Sequence, residues 1–192
     1  MTMHGPHNEE DFQQLMTGGL VGWKMIGAGN FIELGGNIIE SNGGTGLLWY
    51  TYKQFENFIL RVEWQALAVT DNSGIFIRFP NPGTDLSIPI TQGYEVQIDN
   101  TGHNPETGTL KDPLHQTGAI YKLAPSDAAP AIGQWHTFEI EAKGTTITVR
   151  LDGQEVSELK HASRSPKGFI GLQNHHADSR VQFKQLKIKE LP

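Results

Sequence analysis

Apolar and polar residues alternate with period two along most of this chain, and that pattern commits it to sheets. "GYEVQIDN" (93–100) sets Tyr94, Val96 and Ile98 against Glu95, Gln97 and Asp99. A strand made from it has one apolar face and one face carrying two carboxylates and an amide. The same alternation runs through "FILRVEW" (58–64), "GIFIRFP" (74–80), "GFIGLQNHH" (168–176) and "VQFKQLKIKEL" (181–191). In "WHTFEIEAKGTTITVRLDGQEVSEL" (135–159) it is interrupted only at Lys143-Gly144 and Asp152-Gly153. Asp-Gly between alternating runs is a strong hairpin signal. "NFIELGGNIIES" (30–41) reads as two strands around Gly35-Gly36, and "GLLWYTYKQFENFILRVEWQALAV" (46–69) as two strands broken near Lys53–Asn57. "TGAIYKL" (117–123) reads as one more.

Helical spacing is confined to "NEEDFQQLMTGG" (8–19), where Asn8 as cap, the early acids and Gly18 as stop predict one short N-terminal helix. The expectation is all-β: about ten to twelve short strands in a two-sheet antiparallel β-sandwich of the jelly-roll kind. At 192 residues it spans the chain as a single domain, 1–192. The loops 81–92 and 100–117 are long and polar, and loops beyond about 12 residues in compact domains tend to carry function or motion.

Charge narrows the partners. The net charge is −6 and no Lys or Arg cluster stands out, which argues against nucleic acid, since phosphate contacts need clustered cations. Neutral saccharides stay open. With no Cys there is neither a disulfide framework nor thiolate chemistry. The first residues lack the cationic start and apolar run of a signal peptide, so a native N-terminus implies a cytoplasmic protein. No stretch approaches the ~20 apolar residues of a membrane span. Oligomeric state is not legible.

Strand parity selects the candidate site. Phe58, Leu60, Val62 and Trp64 face the core, as do Ile75, Ile77 and Phe79, and Ile170 and Leu172. The opposite faces then display Glu63, Arg78, Glu95, Gln97, Asp99, Gln173 and His175, with Phe76 as a stacking surface and Gly171 as an opening to the backbone. A solvated sheet face would favour Lys, Glu, Thr and Ser; this set offers planar, bidentate groups suited to hydroxyls. Of the Trp49-Tyr50 pair, one must face outward if the strand is regular.

Six stretches occur in a recognisable order: "DNSGIFIRFP" (71–80), "GYEVQID" (93–99), "HQTGAIY" (115–121), "GQWHTFEI" (133–140), "VRLDGQEV" (149–156) and "GFIGLQNHH" (168–176). Together they resemble the DUF1080 family, the 3-keto-disaccharide hydrolase domain, over roughly residues 15–191; "GGLVGWKMIGAGNFIELGGNIIES" (18–41) is similar to its N-terminal strands. The chain departs from the commoner family pattern at His136 and Asp152, both outside the proposed face. The resemblance implies a concanavalin A-like jelly roll with a concave sugar-facing surface. It also implies hydrolysis of glycosides whose sugar is a ketone at carbon 3. Many members of the family are secreted, in contrast to the absence of an export signal here.

A ketone at carbon 3 acidifies the proton on carbon 2, so a base can remove it and the aglycone can leave by elimination, after which water adds back. Glu95 or Glu63 is the candidate base. Arg78, or a bound metal, is the candidate for holding the enolate oxygen. His175 or His115 is the candidate proton donor. For holding the sugar the candidates are Gln97, Asp99, Gln173, Phe76, His115 and Tyr121, the register of Tyr121 lying open between cleft and core. An ordinary glycosidase pair needs carboxyls ~5–9.5 Å apart. Glu95 and Asp99, roughly 13 Å apart along one strand, are too distant, whereas Glu95 with Glu63 would serve.

No cofactor is implied. A divalent metal stays open on Glu95, Asp99, His115 and His175, with His103 nearby, although no fixed ligand spacing such as HExxH is present. His175 and His176 on one strand would point to opposite faces and could not chelate together. Two function classes remain: a hydrolase or lyase acting on 3-keto-glycosides or related saccharides, and a non-catalytic carbohydrate-binding module on the same sandwich.

Overall fold

The computed structural model describes residues 9–192. Asn8, the expected helix cap, therefore lies outside the described residues, and the segment from Glu9 onward does not form the expected helix. A 3-10 turn at Glu9–Asp11 leads into β1 (Gln13–Gln14), which pairs with the last strand. Tertiary contacts override local propensity here. Leu15 and Met16 are buried, the ring of Phe12 lies 4.3 Å from the Arg61 guanidinium, and Asp11 pairs with Lys189 at 2.9 Å.

Beyond β1 the described residues form twelve more strands: β2 (Trp23–Gly27), β3 (Asn30–Gly35), β4 (Ile38–Asn42), β5 (Gly46–Phe55), β6 (Phe58–Ala66), β7 (Asn72–Phe79), β8 (Tyr94–Asp99), β9 (His136–Lys143), β10 (Thr146–Leu151), β11 (Gln154–Leu159), β12 (Gly168–Asn174) and β13 (Val181–Glu190). They form two antiparallel sheets. One has the order β11-β10-β9-β6-β13-β4-β3, with β1 also on β13; the other has the order β2-β5-β12-β7-β8. The Asp152-Gly153 turn has φ of 49° and 85°, the doubly positive pair of a type I′ hairpin. The break in 46–69 falls at Glu56-Asn57.

The sheets close on one core. Phe58, Leu60, Trp64, Phe138, Ile140 and Phe183 from the first sheet meet Leu48, Tyr50, Ile75, Ile77, Val96 and Ile170 from the second. At ~25 cal/mol per Å² of apolar surface, each such side chain contributes roughly 2 kcal/mol, which explains how the sandwich holds without disulfides. Tyr50 faces this core and Trp49 the other side.

Among the described residues one α-helix forms, α1 (Ser87–Gln92); it lies in the long polar loop 81–92 and packs on β7 and β8. "TGAIYKL" is not a regular strand; only isolated bridges tie Ile120 to Val96 and Ala124. The segment still ladders along the free edge of β8. Gly118 and Tyr121 donate to the carbonyls of Gln97 (2.9 Å) and Glu95 (2.8 Å), and Gln97 donates to that of Ala119 (3.0 Å). Gly118, at φ 86°, permits the turn.

Candidate functional site

Every residue of β7 and β8 is buried, on both faces. The polar side of β8 is therefore no solvated face: Glu95 is 4% exposed, Gln97 5% and Asp99 2%. The roof comes from α1 and from the segment carrying Tyr121. Leu86 and Ile90 press on Ile26, Leu47, Trp49, Phe76, Phe79 and Phe169, an apolar cluster on the face turned away from the main core. Beside this cluster the roof leaves a cavity of about 350 Å³, within the size range of small-ligand sites. Glu95, Gln97, Tyr121, Gln173 and His175 line it, with Thr45, Ile90 and Asn174.

Glu95 is its unusual member. Among the described residues no cation stands against its carboxyl, and burial alone raises its pKa from the ordinary carboxylate value of 4.5 to about 8. With the Gln97 amide turned so that its nitrogen faces acceptors, Gln97 donates to Glu95 Oε1 at 3.0 Å and to the Ser73 carbonyl at 3.2 Å. Gly74, across the ladder from Gln97, makes room for this carboxyl. A Cβ there would collide with Glu95 Oε1.

Two oxygens in the cavity wall are orphans. Gln173 Oε1 and Asn174 Oδ1 are buried without a hydrogen-bond partner, while the Asn174 amide nitrogen is held by the carbonyls of Asn30 (2.7 Å) and Asn42 (2.9 Å). Unpaired buried acceptors cost free energy, and hydroxyl donors from a ligand would satisfy them. Tyr121 is half-buried, and desolvation raises its pKa above 10.0 against the pull of Lys122, so its phenol keeps its proton.

β12 ends at Asn174, so strand parity no longer separates His175 from His176. Their Nδ1 atoms lie 2.9 Å apart, one ring donating and the other accepting. His175 stands exposed at the rim, yet desolvation and then the neighbouring His176 lower its pKa, against the opposing charge of Asp99.

The structure brings Glu95, Gln97, Gln173, His175 and Tyr121 together and leaves the other candidates outside. Arg78 sits at φ 53° in a bulge where β7 and β12 slip register. The bulge shifts parity by one: Phe79 joins Phe76 in the second apolar cluster. Arg78 turns to the turns at the sandwich end, donating to the carbonyls of Glu56 (2.9 and 2.5 Å) and Gly144 (2.8 Å). Glu63 belongs to the other sheet, between Thr137 and Lys184 on neighbouring strands. It therefore cannot partner Glu95 as a second carboxyl.

Asp99 shapes the loop after β8, accepting from Thr101 N (2.9 Å), Thr101 Oγ1 (2.6 Å) and His103 N (3.3 Å). His115 is buried behind Tyr121, edge to face with ring centroids 5.1 Å apart. Phe76, 2% exposed, is covered and offers no stacking surface. Among the described residues no three His, Asp or Glu side chains form a group able to hold a metal ion.

Sequence reasoning missed Thr45, Ile90 and Asn174. Ile90 rides on a helix of six residues whose signal is masked by Pro89. Asn174 has inward parity and enters the wall because its strand ends there.

Two other hollows, about 220 Å³ beside Glu33 and about 540 Å³ beside Asp152, are bordered by exposed carboxylates. Neither holds a buried acid.

Comparison with known proteins agrees with this architecture. Two proposed glycosyl hydrolases of Parabacteroides distasonis ATCC 8503 have similar structures. One is 25% identical, aligns 94% of this chain with 99% of its own and has a TM-score of 0.73. The other is 20% identical over 97% and 99%, with a TM-score of 0.77. The carbohydrate-binding module CBM66 of Bacillus subtilis shares the fold at 13% identity over 88% and 96%, with a TM-score of 0.63. No curated protein matches the chain. The model of the 3-keto-alpha-glucoside-1,2-lyase-like domain matches residues 11–189. Nearly the whole described chain is covered by that match, and the protein belongs to the 3-keto-alpha-glucoside-1,2-lyase-like domain family.

Proposed function

We propose that this protein is a concanavalin A-like jelly roll whose cavity binds a glycoside oxidised to a ketone at carbon 3 and releases the aglycone by elimination. The observation that carries this reading is Glu95, a buried carboxyl without a cationic partner, facing a cavity beside two orphan acceptors. A base with a raised pKa takes protons more strongly once ionised. Glu95 removes the proton on carbon 2, and the electron pair forms the carbon 1–carbon 2 double bond as the bond to the aglycone oxygen breaks. That oxygen takes a proton from Tyr121, whose phenol is protonated across the working range. The Gln173 amide nitrogen donates to the ketone, and the Gln97 and Gln173 amide oxygens accept from the sugar hydroxyls. Water then adds: its oxygen bonds to carbon 1 as one of its protons passes to the Tyr121 oxygen, and the proton held by Glu95 returns to carbon 2, so both residues are restored.

The test is incubation of the native protein with a 3-keto-α-glucoside, with aglycone release and the unsaturated or hydrated 3-keto sugar measured by mass spectrometry. Saccharide binding with no turnover would make the protein a binding module instead.

Because the base acts when ionised, kcat/KM is expected to rise about tenfold per pH unit below about 8 and to level off above it. A rate that falls as pH rises through this range would make Glu95 the acid. Gly74→Ala drives a methyl group into the Glu95 carboxyl. It is expected to lower kcat by one to two orders of magnitude, roughly the effect of a 1 Å misplacement, and the thermal midpoint by roughly 2–12 °C.

A further inference from the structure

A second hollow of about 320 Å³ opens beyond His175, which lines both. Asp99 lines it, two residues along β8 from Gln97 on the same face. We infer that this second hollow is the aglycone subsite and that it selects a flat, apolar, phenol-type leaving group over a second sugar. The inference rests on the 3-keto-glycoside reading of the first cavity.

Three features of the hollow argue for it. Leu110 is 62% exposed at its rim, on a loop that is stitched together rather than loose. Lys111 N donates to the Thr101 carbonyl (2.7 Å), Asp112 N to that of Gly102 (3.0 Å), and the Asn104 amide to Asp112 Oδ2 (2.8 Å). The Leu110 side chain supplies apolar surface at the mouth of the hollow.

The rings of His175 and His176, edge to face with centroids 5.2 Å apart, add flat contact area. Of the less exposed polar groups, Asp99 and the Thr101 hydroxyl satisfy each other and the loop backbone, while Thr70 and His103 stand exposed at the mouth. One buried acceptor remains, Asn72 Oδ1, 9% exposed as a residue and without a partner. A second pyranose would bring several hydroxyls that need partners, whereas an aromatic ring bearing one hydroxyl matches the Leu110 side chain, the histidine ring faces and a single buried acceptor.

The test compares phenyl, 4-hydroxyphenyl and methyl 3-keto-α-glucosides with the native protein and with Leu110→Ser. Differences in leaving-group chemistry cancel when one ratio is compared across the two proteins. Leu110→Ser is expected to lower the phenyl-to-methyl ratio of kcat/KM about fivefold to tenfold. Asn72→Ala is expected to lower the 4-hydroxyphenyl-to-phenyl ratio by a similar factor. Ratios that stay constant, whether all rates fall together or none falls, overturn the subsite. Should the native protein consume none of the three, the underlying reaction is wrong, and titration of 4-hydroxyphenyl α-glucoside decides the subsite by itself. Weaker binding to Leu110→Ser then supports it, and equal binding overturns it.

Discussion

Glu95→Gln is expected to lower turnover of a 3-keto-α-glucoside by about a thousandfold, within the ~10²–10⁴ range of a general base, while saccharide affinity stays within a fewfold. The substitution is nearly isosteric. It keeps the hydrogen-bonding length of the side chain and fits the space left by Gly74. What it removes is the ability to take a proton. Burial, the sole cause of the raised pKa, has made this group costly to ionise, and a folded chain keeps such a group only where something compensates. Single-turnover release of aglycone measures the first quantity and calorimetric titration with an unoxidised glycoside the second. Full activity in the variant would remove Glu95 from the reaction. Equal loss of activity and binding would make it a ligand-holding group.

Arg78→Met is expected to destabilise the fold by about 3 kcal/mol, leaving the chemistry intact in the molecules that remain folded. Arg78 is 1% exposed, and its guanidinium bridges the β5–β6 and β9–β10 turns through the carbonyls of Glu56 and Gly144, with Asn57 Oδ1 at 3.4 Å. Methionine fills much of the volume but leaves buried carbonyls without donors, and unsatisfied groups of this kind carry the larger share of such penalties. For a chain of this length the midpoint of thermal unfolding is expected to drop by roughly 6–12 °C. An unchanged midpoint with lost turnover would return Arg78 to the active centre, where strand parity alone had put it.

Arg78 also marks where sequence reading reached its limit. Parity through Ile75, Phe76 and Ile77 holds, and those side chains alternate between the two apolar clusters. One residue at φ 53° then exchanges the faces of everything after it, because the side-chain period of a strand is two and a bulge adds one. Positive φ in an arginine has no sequence signature comparable to Asp-Gly, which announced its hairpin correctly. Glu63 failed for a different reason. Its outward parity is right, and its sheet is the other one, since alternation says which face a residue takes but not which strands are neighbours. His175 and His176 meet because the strand stops at Asn174, two residues earlier than its alternation implied.

By itself the sequence determined the all-β class, the strands carrying most of the core, the hairpins at Lys143-Gly144 and Asp152-Gly153, and the polar row Glu95, Gln97, Asp99. These are local properties: a period of two and turns that need positive φ are written residue by residue. Only the tertiary structure decided that the row is roofed rather than wet. α1 and the Tyr121 segment come from distant parts of the loop regions, and desolvation of Glu95 is a sum over everything packed around it. No stretch of chain contains that sum, because an acid's environment is made by residues that sequence order keeps apart.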